Sequence, residues 1–188
     1  MTKPVYKKIK TFDLIKMAQN QNSKALEELI KRVQKHVFAT FNHLVIKKED
    51  VSDLTQEALL KMARSIYSLK DVKSFNGWLN QIVTNVFYDY SRKFPQRYLE
   101  MDEEEFKEIK DKFGCEPGEK CIFAEIEKIV RSALMTLPKD LRISLILREY
   151  EGLSYQDIAQ LTNSALGTVK SRISRARMKL QSALKDFI

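Results

Sequence analysis

The chain has 188 residues, of which 44% are hydrophobic, so it can bury one medium core or two small ones. Its 33 Lys and Arg against 25 Asp and Glu give a net charge of +8, which favours a polyanionic partner, either nucleic acid or an anionic membrane surface. No apolar run approaches the roughly 18 residues of a spanning helix, and Met1 to Lys10 lacks the apolar core of a signal peptide, so the chain is expected in the cytoplasm. Cys115 and Cys121 fit a reducing compartment and lack the C-x-x-C spacing of an activated thiol pair, which leaves their role open. His36 and His43 are too isolated for a metal site and read as polar helix surface. No metal or cofactor is expected.

Five glycines, four prolines and no useful strand alternation predict an all-α chain. Phe12, Ile15, Leu26, Leu29, Ile30, Val33, Val37 and Phe41 recur at helical spacing through the first third. Leu54, Ala58, Leu59, Met62 and Ile66 form a second apolar stripe, and Leu79, Ile82, Val83, Val86, Phe87 and Tyr90 a third. Three or four helices carrying these stripes can share one core. At the start of the second stripe, Asp53, Gln56 and Glu57 fall at i, i+3 and i+4, on one polar face. Acids in a first helical turn also simply complement the helix dipole. On the third helix the outer face carries Gln81, Asn85, Tyr88, Asp89 and Arg92, followed by Lys93 and Arg97. Trp78 lies beside the apolar stripe and reads either as core or as a wedge against a base.

The pattern stops near Pro95. Asp102, Glu103, Glu104, Glu105, Glu108 and Asp111, then Gly114 to Gly118 around Pro117, mark a flexible acidic linker. Periodicity resumes with Ile122, Ile126, Ile129, Val130 and Leu134. Beyond Pro138 it continues in Leu141, Leu145 and Tyr150. Gly152 ends that helix. Ser154 is an N-cap, Asp157 completes a capping box, and Leu153 with Ile158 forms a hydrophobic staple. The resulting short helix stops at Thr162-Asn163-Ser164, and Ser164 is expected to cap a last helix running to about Leu184. Val169, Ile173, Ala176 and Leu180 turn inward on it. Lys170, Ser171, Arg172, Ser174, Arg175, Arg177 and Lys179 cover the rest, and no acid occurs between Asn163 and Gln181. Ordinary charged faces mix signs. Two helices joined by a tight turn, the second basic and acid-free, predict a helix-turn-helix with its second helix in a major groove.

The stretches Leu137-Pro138-Lys139-Asp140-Leu141-Arg142, Glu151-Gly152-Leu153-Ser154-Tyr155-Gln156-Asp157-Ile158-Ala159 and Gly167-Thr168-Val169-Lys170-Ser171-Arg172 through Arg177 resemble the C-terminal domain of extracytoplasmic-function sigma factors, small members of the housekeeping-sigma superfamily. Ala165 stands where the family often has Pro, and Ser174 where some members carry a bulky residue. The second departure leaves the promoter sequence open. The first half resembles the same family through Asp53-Leu54-x-Gln56-Glu57 and Phe75-Asn76-Gly77-Trp78-Leu79 through Lys93.

The resemblance implies a sigma-2-like domain over 11–98, a linker over 99–122 and a sigma-4-like domain over 123–188. It implies that Asp53, Gln56 and Glu57 dock on the clamp helices of the polymerase's largest subunit, the polymerase flap being a further contact. It implies that Gln81, Asn85, Tyr88, Asp89, Arg92 and Lys93 serve the −10 element, with a flipped base near Asn85. Lys170, Ser171, Arg172, Ser174, Arg175 and Arg177 would serve the −35 element. The expected partners are core RNA polymerase, promoter DNA and an anti-sigma factor. A stand-alone regulator would leave the first-half motifs without a role, and a nucleic-acid enzyme would need a nucleophile or carboxylate cluster, which no motif here supplies.

Overall fold

The turn after the nine-residue helix α1 (Thr11–Gln19) shows how local chemistry sets the first half. The chain reverses through Gln21, whose φ is 62°. The Asn22 side chain then accepts from the Ala25 amide (3.0 Å) and caps α2 (Ser23–Leu44). The structure, a computed structural model, describes residues 6–95 and 119–185. Among them every regular element is helical. They group into two compact units, one holding 6–41 and 49–89, the other holding 42–48, 90–95 and 119–185.

In the first unit, Glu49 and Asp50 place negative charge in the first turn of α3 (Lys48–Ser65), where the helix dipole favours it. A 3-10 turn, Ile66–Ser68, follows. The Gln19 amide pins it by donating to the carbonyls of Ile66 (3.1 Å) and Leu69 (2.7 Å). Asp71 accepts from the Lys73 amide (2.9 Å) and leads the chain into α4 (Phe75–Lys93). The core is built from Leu14, Ile15, Leu29, Val37, Phe41, Leu54, Ala58, Met62, Leu79, Val83, Val86 and Phe87, all buried. These residues belong to the apolar stripes expected from spacing, apart from Leu14. Phe12 departs from expectation. It is 41% exposed, with the Lys16 ammonium 4.5 Å from its ring centroid. The inward stripe of α1 is Leu14, Ile15 and Ala18. Phe12 lies about 110° around the helix from the centre of that stripe, at 100° per residue.

The second unit holds α5 (Glu119–Met135), α6 (Lys139–Glu149), α7 (Tyr155–Leu161) and α8 (Leu166–Leu184). The acidic run 100–111, Cys115 and Arg97 lie outside the described residues, and α5 begins at Glu119, inside the expected linker. Leu141 to Leu147 are all buried, so α6 is the central helix, with neighbours all round rather than on one stripe. Arg142 is fully buried within it. Its guanidinium donates to the carbonyls of Leu44 (2.8 Å), Leu137 (2.8 Å) and Met135 (3.1 Å). Those carbonyls stand where chain segments stop being regular, so a planar donor of fixed geometry satisfies them together. Ile126 and Tyr150 were expected on apolar stripes but are 50% and 42% exposed. Tyr150 is the C-cap of α6, where the chain turns through Gly152 at φ +69° and leaves the helix face.

Candidate polymerase and nucleic-acid interfaces

On α3, burial of Val51, Leu54, Thr55, Ala58 and Leu59 forces Asp53, Gln56 and Glu57 outward, and all three are exposed. Leu60, Lys61 and Arg64 continue that face at helical spacing and complete a shallow depression of about 450 Å³. Leu60 is 55% exposed and supplies an apolar contact beside the acids. Continuing the 53–56–57 pattern by one turn would have exposed this part of the face in the sequence. The Lys61 ammonium lies 2.8 Å from Glu57 Oε1 and, across to α4, 3.5 Å from Asp89 Oδ2. The hydrogen bond to Glu57, with the charges of Glu57 and Asp89 behind it, holds the Lys61 pKa above its ordinary value.

On α4, Asn85, Asp89, Arg92 and Lys93 are exposed and Gln81 and Tyr88 partly so, which places the six residues on one stretch of helix surface. The Gln81 amide donates to Asn85 Oδ1 (2.9 Å), which leaves the Asn85 NH₂ directed away from that bond. Trp78 is only partly covered, with its ring 5.9 Å from that of Phe75 and tilted 41° to it.

In the second unit the capping box forms in both directions. Asp157 N donates to Ser154 Oγ (3.1 Å) and Ser154 N to Asp157 Oδ2 (3.3 Å). Asn163, at φ 47°, makes the tight turn, a conformation Asn tolerates better than most residues. The expected cap of the last helix is corrected: Ala165 stands at the N-cap without a side-chain bond. Ser164 instead donates to the Thr162 carbonyl (3.0 Å) and accepts from Arg172 (2.8 Å). Ser164 lies one residue too early, and its hydroxyl is committed to the turn.

The basic residues of α8 separate into two sets. Lys170, Ser171, Ser174 and Arg175 are exposed, and Arg175 arches back over Ser171, bonding its hydroxyl (3.1 Å) and carbonyl (3.3 Å). Arg172 folds toward the protein, its side chain 19% exposed and 3.6 Å from Asp140. Arg177 donates to Glu149 (3.1 Å), and that bond raises its pKa. Val169, Ile173 and Ala176 are buried as expected. Leu180 is half-buried and lines an apolar groove of about 550 Å³ together with Val130, Leu134, Leu145 and Ile146. His43, expected as plain helix surface, also lines the groove, edge-on to Tyr150 with centroids 5.1 Å apart. Burial lowers its pKa. Among the described residues, no group of His, Cys, Asp and Glu could hold a metal ion, and no helix is long and apolar enough to cross a membrane.

Comparison with known proteins bears on the whole chain. The Sigma-70 region 2 family model matches residues 29–96, and the Sigma-70 region 4 model matches residues 127–180. The ECF RNA polymerase sigma-E factor of Haemophilus influenzae is 32% identical over 181 residues, covering 93% of this chain and 95% of that protein. The RNA polymerase sigma-H factor of Pseudomonas aeruginosa is 32% identical over 184 residues, covering 93% and 94%. Among solved structures, the sigma factor RpoE of Bartonella quintana, crystallised with the anti-sigma factor NepR, superposes with a TM-score of 0.65 at 29% identity, covering 86% of this chain and 98% of that one. Matches of this extent span both helical units and both sets of motifs. The chain therefore belongs to the extracytoplasmic-function group of sigma-70 factors: it is not an enzyme, and it binds core RNA polymerase and directs promoter recognition and transcription initiation.

Proposed function

We propose the following division of labour within this sigma factor. Asp53, Gln56 and Glu57 of α3 dock on the clamp helices of the polymerase's largest subunit. Gln81, Asn85, Tyr88, Asp89, Arg92 and Lys93 of α4 receive the melted −10 strand, and Lys170, Ser171, Ser174 and Arg175 of α8 read the −35 duplex. Arg172 and Arg177 serve phosphates. The observation that carries this reading is the packing of α3 and α4. Their apolar stripes are consumed in one core, so their polar faces are exposed for partners. Domain limits of 11–98 and 123–188 around a linker over 99–122 suit the two family matches. The apolar groove lined by Leu134, Leu145 and Leu180 suits a partner's amphipathic helix, and we assign it to the polymerase flap. An anti-sigma factor is a further partner, as for the Bartonella quintana protein, and the site of action is the cytoplasm.

Two measurements test the DNA assignments. Asn85→Ala should reduce open-complex formation and relax base choice at one position of the non-template −10 strand. Equal affinity of mutant and parent holoenzyme for every single-base variant of that strand would count against Asn85. On α8, Arg175→Ala should cost about 1–3 kcal/mol at one base position. Arg177→Ala should weaken all sequences alike and lower the salt slope by about one unit. Binding of −35 duplexes across base variants and salt separates the two, and exchanged behaviour would reverse the roles.

A further inference from the structure

The exposed face of α3 carries opposite charges at its two ends. Asp53, Leu60 and Arg64 fall within about 40° of one another around the helix at about 100° per residue, so they form one row along it. The row runs about 16 Å at about 1.5 Å per residue. All three residues are exposed and line the same shallow depression. Glu57 and Lys61, between the ends, pair with each other at 2.8 Å and so offset each other's charge. The row therefore reads carboxylate, apolar side chain, guanidinium, with the apolar side chain 55% exposed. An acid toward the start of a helix and a base in its last turn also complement the helix dipole. The dipole acts alike all round the helix, so it does not account for both charges sharing one face with an exposed leucine.

We propose that this row fixes the direction in which polymerase docks along α3. The receiving surface presents a cation or donor to Asp53, an apolar side chain to Leu60 and a carboxylate to Arg64. Docked the other way round, acid would face acid and base would face base, a mismatch that interfaces use to exclude wrong arrangements. Leu60 supplies desolvated area at the centre of the row, where binding energy concentrates, and the charged ends supply direction. The inference rests on the docking of α3 on polymerase proposed above, and adds the chemistry of the surface that receives it.

The test titrates the labelled full chain with core polymerase in the absence of DNA, so that no phosphate contact of Arg64 enters. Arg64→Glu should weaken assembly by about 10- to 100-fold, because repulsion replaces attraction, and Arg64→Gln by about two- to ten-fold. Arg64→Lys should restore most of the affinity. Added salt should narrow the gap between the Glu and Gln variants. Leu60→Ala should weaken assembly by about 5- to 20-fold, with little dependence on salt. A receiving surface that is basic along its whole length would instead bind Arg64→Glu more tightly than the parent. Tighter or unchanged assembly of Arg64→Glu would overturn the inference, and so would parent-like assembly of Leu60→Ala. Melting temperatures are read alongside. A weakening of Arg64→Glu matched by lost thermal stability would assign Arg64 to the dipole of α3 and overturn its place in the interface. Gln56→Ala with Glu57→Ala keeps the two levels apart. If that pair leaves assembly with core polymerase intact, the α3 docking assignment fails. If it impairs assembly while Arg64→Glu does not, only the direction of docking fails.

Discussion

Replacing Gln56 and Glu57 together with alanine should weaken binding to core RNA polymerase by about 10- to 100-fold, or about 1.4–2.8 kcal/mol. Charge-assisted hydrogen bonds lost from an interface contribute on this scale. Neither residue has a part in the core of the first unit. Gln56 is exposed, and the Glu57 side chain, 47% exposed, meets Lys61 one turn along the same helix. Alanine also has the higher helix propensity. The melting temperature should therefore stay within about 2 °C of the parent, since exposed substitutions usually change stability by less than about 0.5 kcal/mol. Assembly is read by titrating labelled sigma with core polymerase. Undiminished assembly would remove Gln56 and Glu57 from the interface, and weakened assembly with a matching loss of melting temperature would indicate damage to the fold.

Arg142→Met should be the most destabilising of the substitutions considered. The variant keeps length and apolar bulk but leaves the carbonyls of Leu44, Met135 and Leu137 without their guanidinium donor inside the protein. Each unsatisfied buried group costs about 1–3 kcal/mol, and relief from burying a cation offsets part of the total, so the net loss should be about 2–4 kcal/mol. The two-unit chain makes a single unfolding midpoint ambiguous. Hydrogen exchange of the α6 amides gives a local readout, and their protection should fall by about 30- to 700-fold. Arg177→Ala is the comparison. Its pair with Glu149 is about half exposed on each side, and exposed pairs contribute only about 0–1 kcal/mol. If Arg142→Met loses no more protection than Arg177→Ala, the buried hydrogen bonds of Arg142 contribute little to stability.

Fold class and the local geometry of the candidate faces were legible in the sequence because the signals are local. Ser154 and Asp157 stand three residues apart, and the bonds they make depend only on the backbone between them, so the capping box forms where it was expected. Asp53, Gln56 and Glu57 were legible as one exposed face because Leu54, Ala58 and Leu59 claim the other side of the same helix. The buried stripe Val169, Ile173 and Ala176 was legible for the same reason. Ser164 was misplaced by one residue. A hydroxyl near a helix start can bond either the turn behind it or the helix ahead, and the turn around Asn163 claimed it.

The sequence by itself determined an all-helical chain in two parts, the helix-turn-helix, the polar faces of α3 and α4, and the family. Each follows from residue type and periodicity within one or two helical turns, where geometry is the same in any protein. Only the tertiary structure decided what depends on residues distant in the chain. It buried Arg142 against carbonyls as far away as Leu44, folded Arg172 toward Asp140, tied Arg177 to Glu149, and set Lys61 between Glu57 and Asp89. A charged side chain has no periodicity that names its partner. Which acid or carbonyl it meets is fixed when apolar stripes pack and bring separate helices to within a few ångströms of one another.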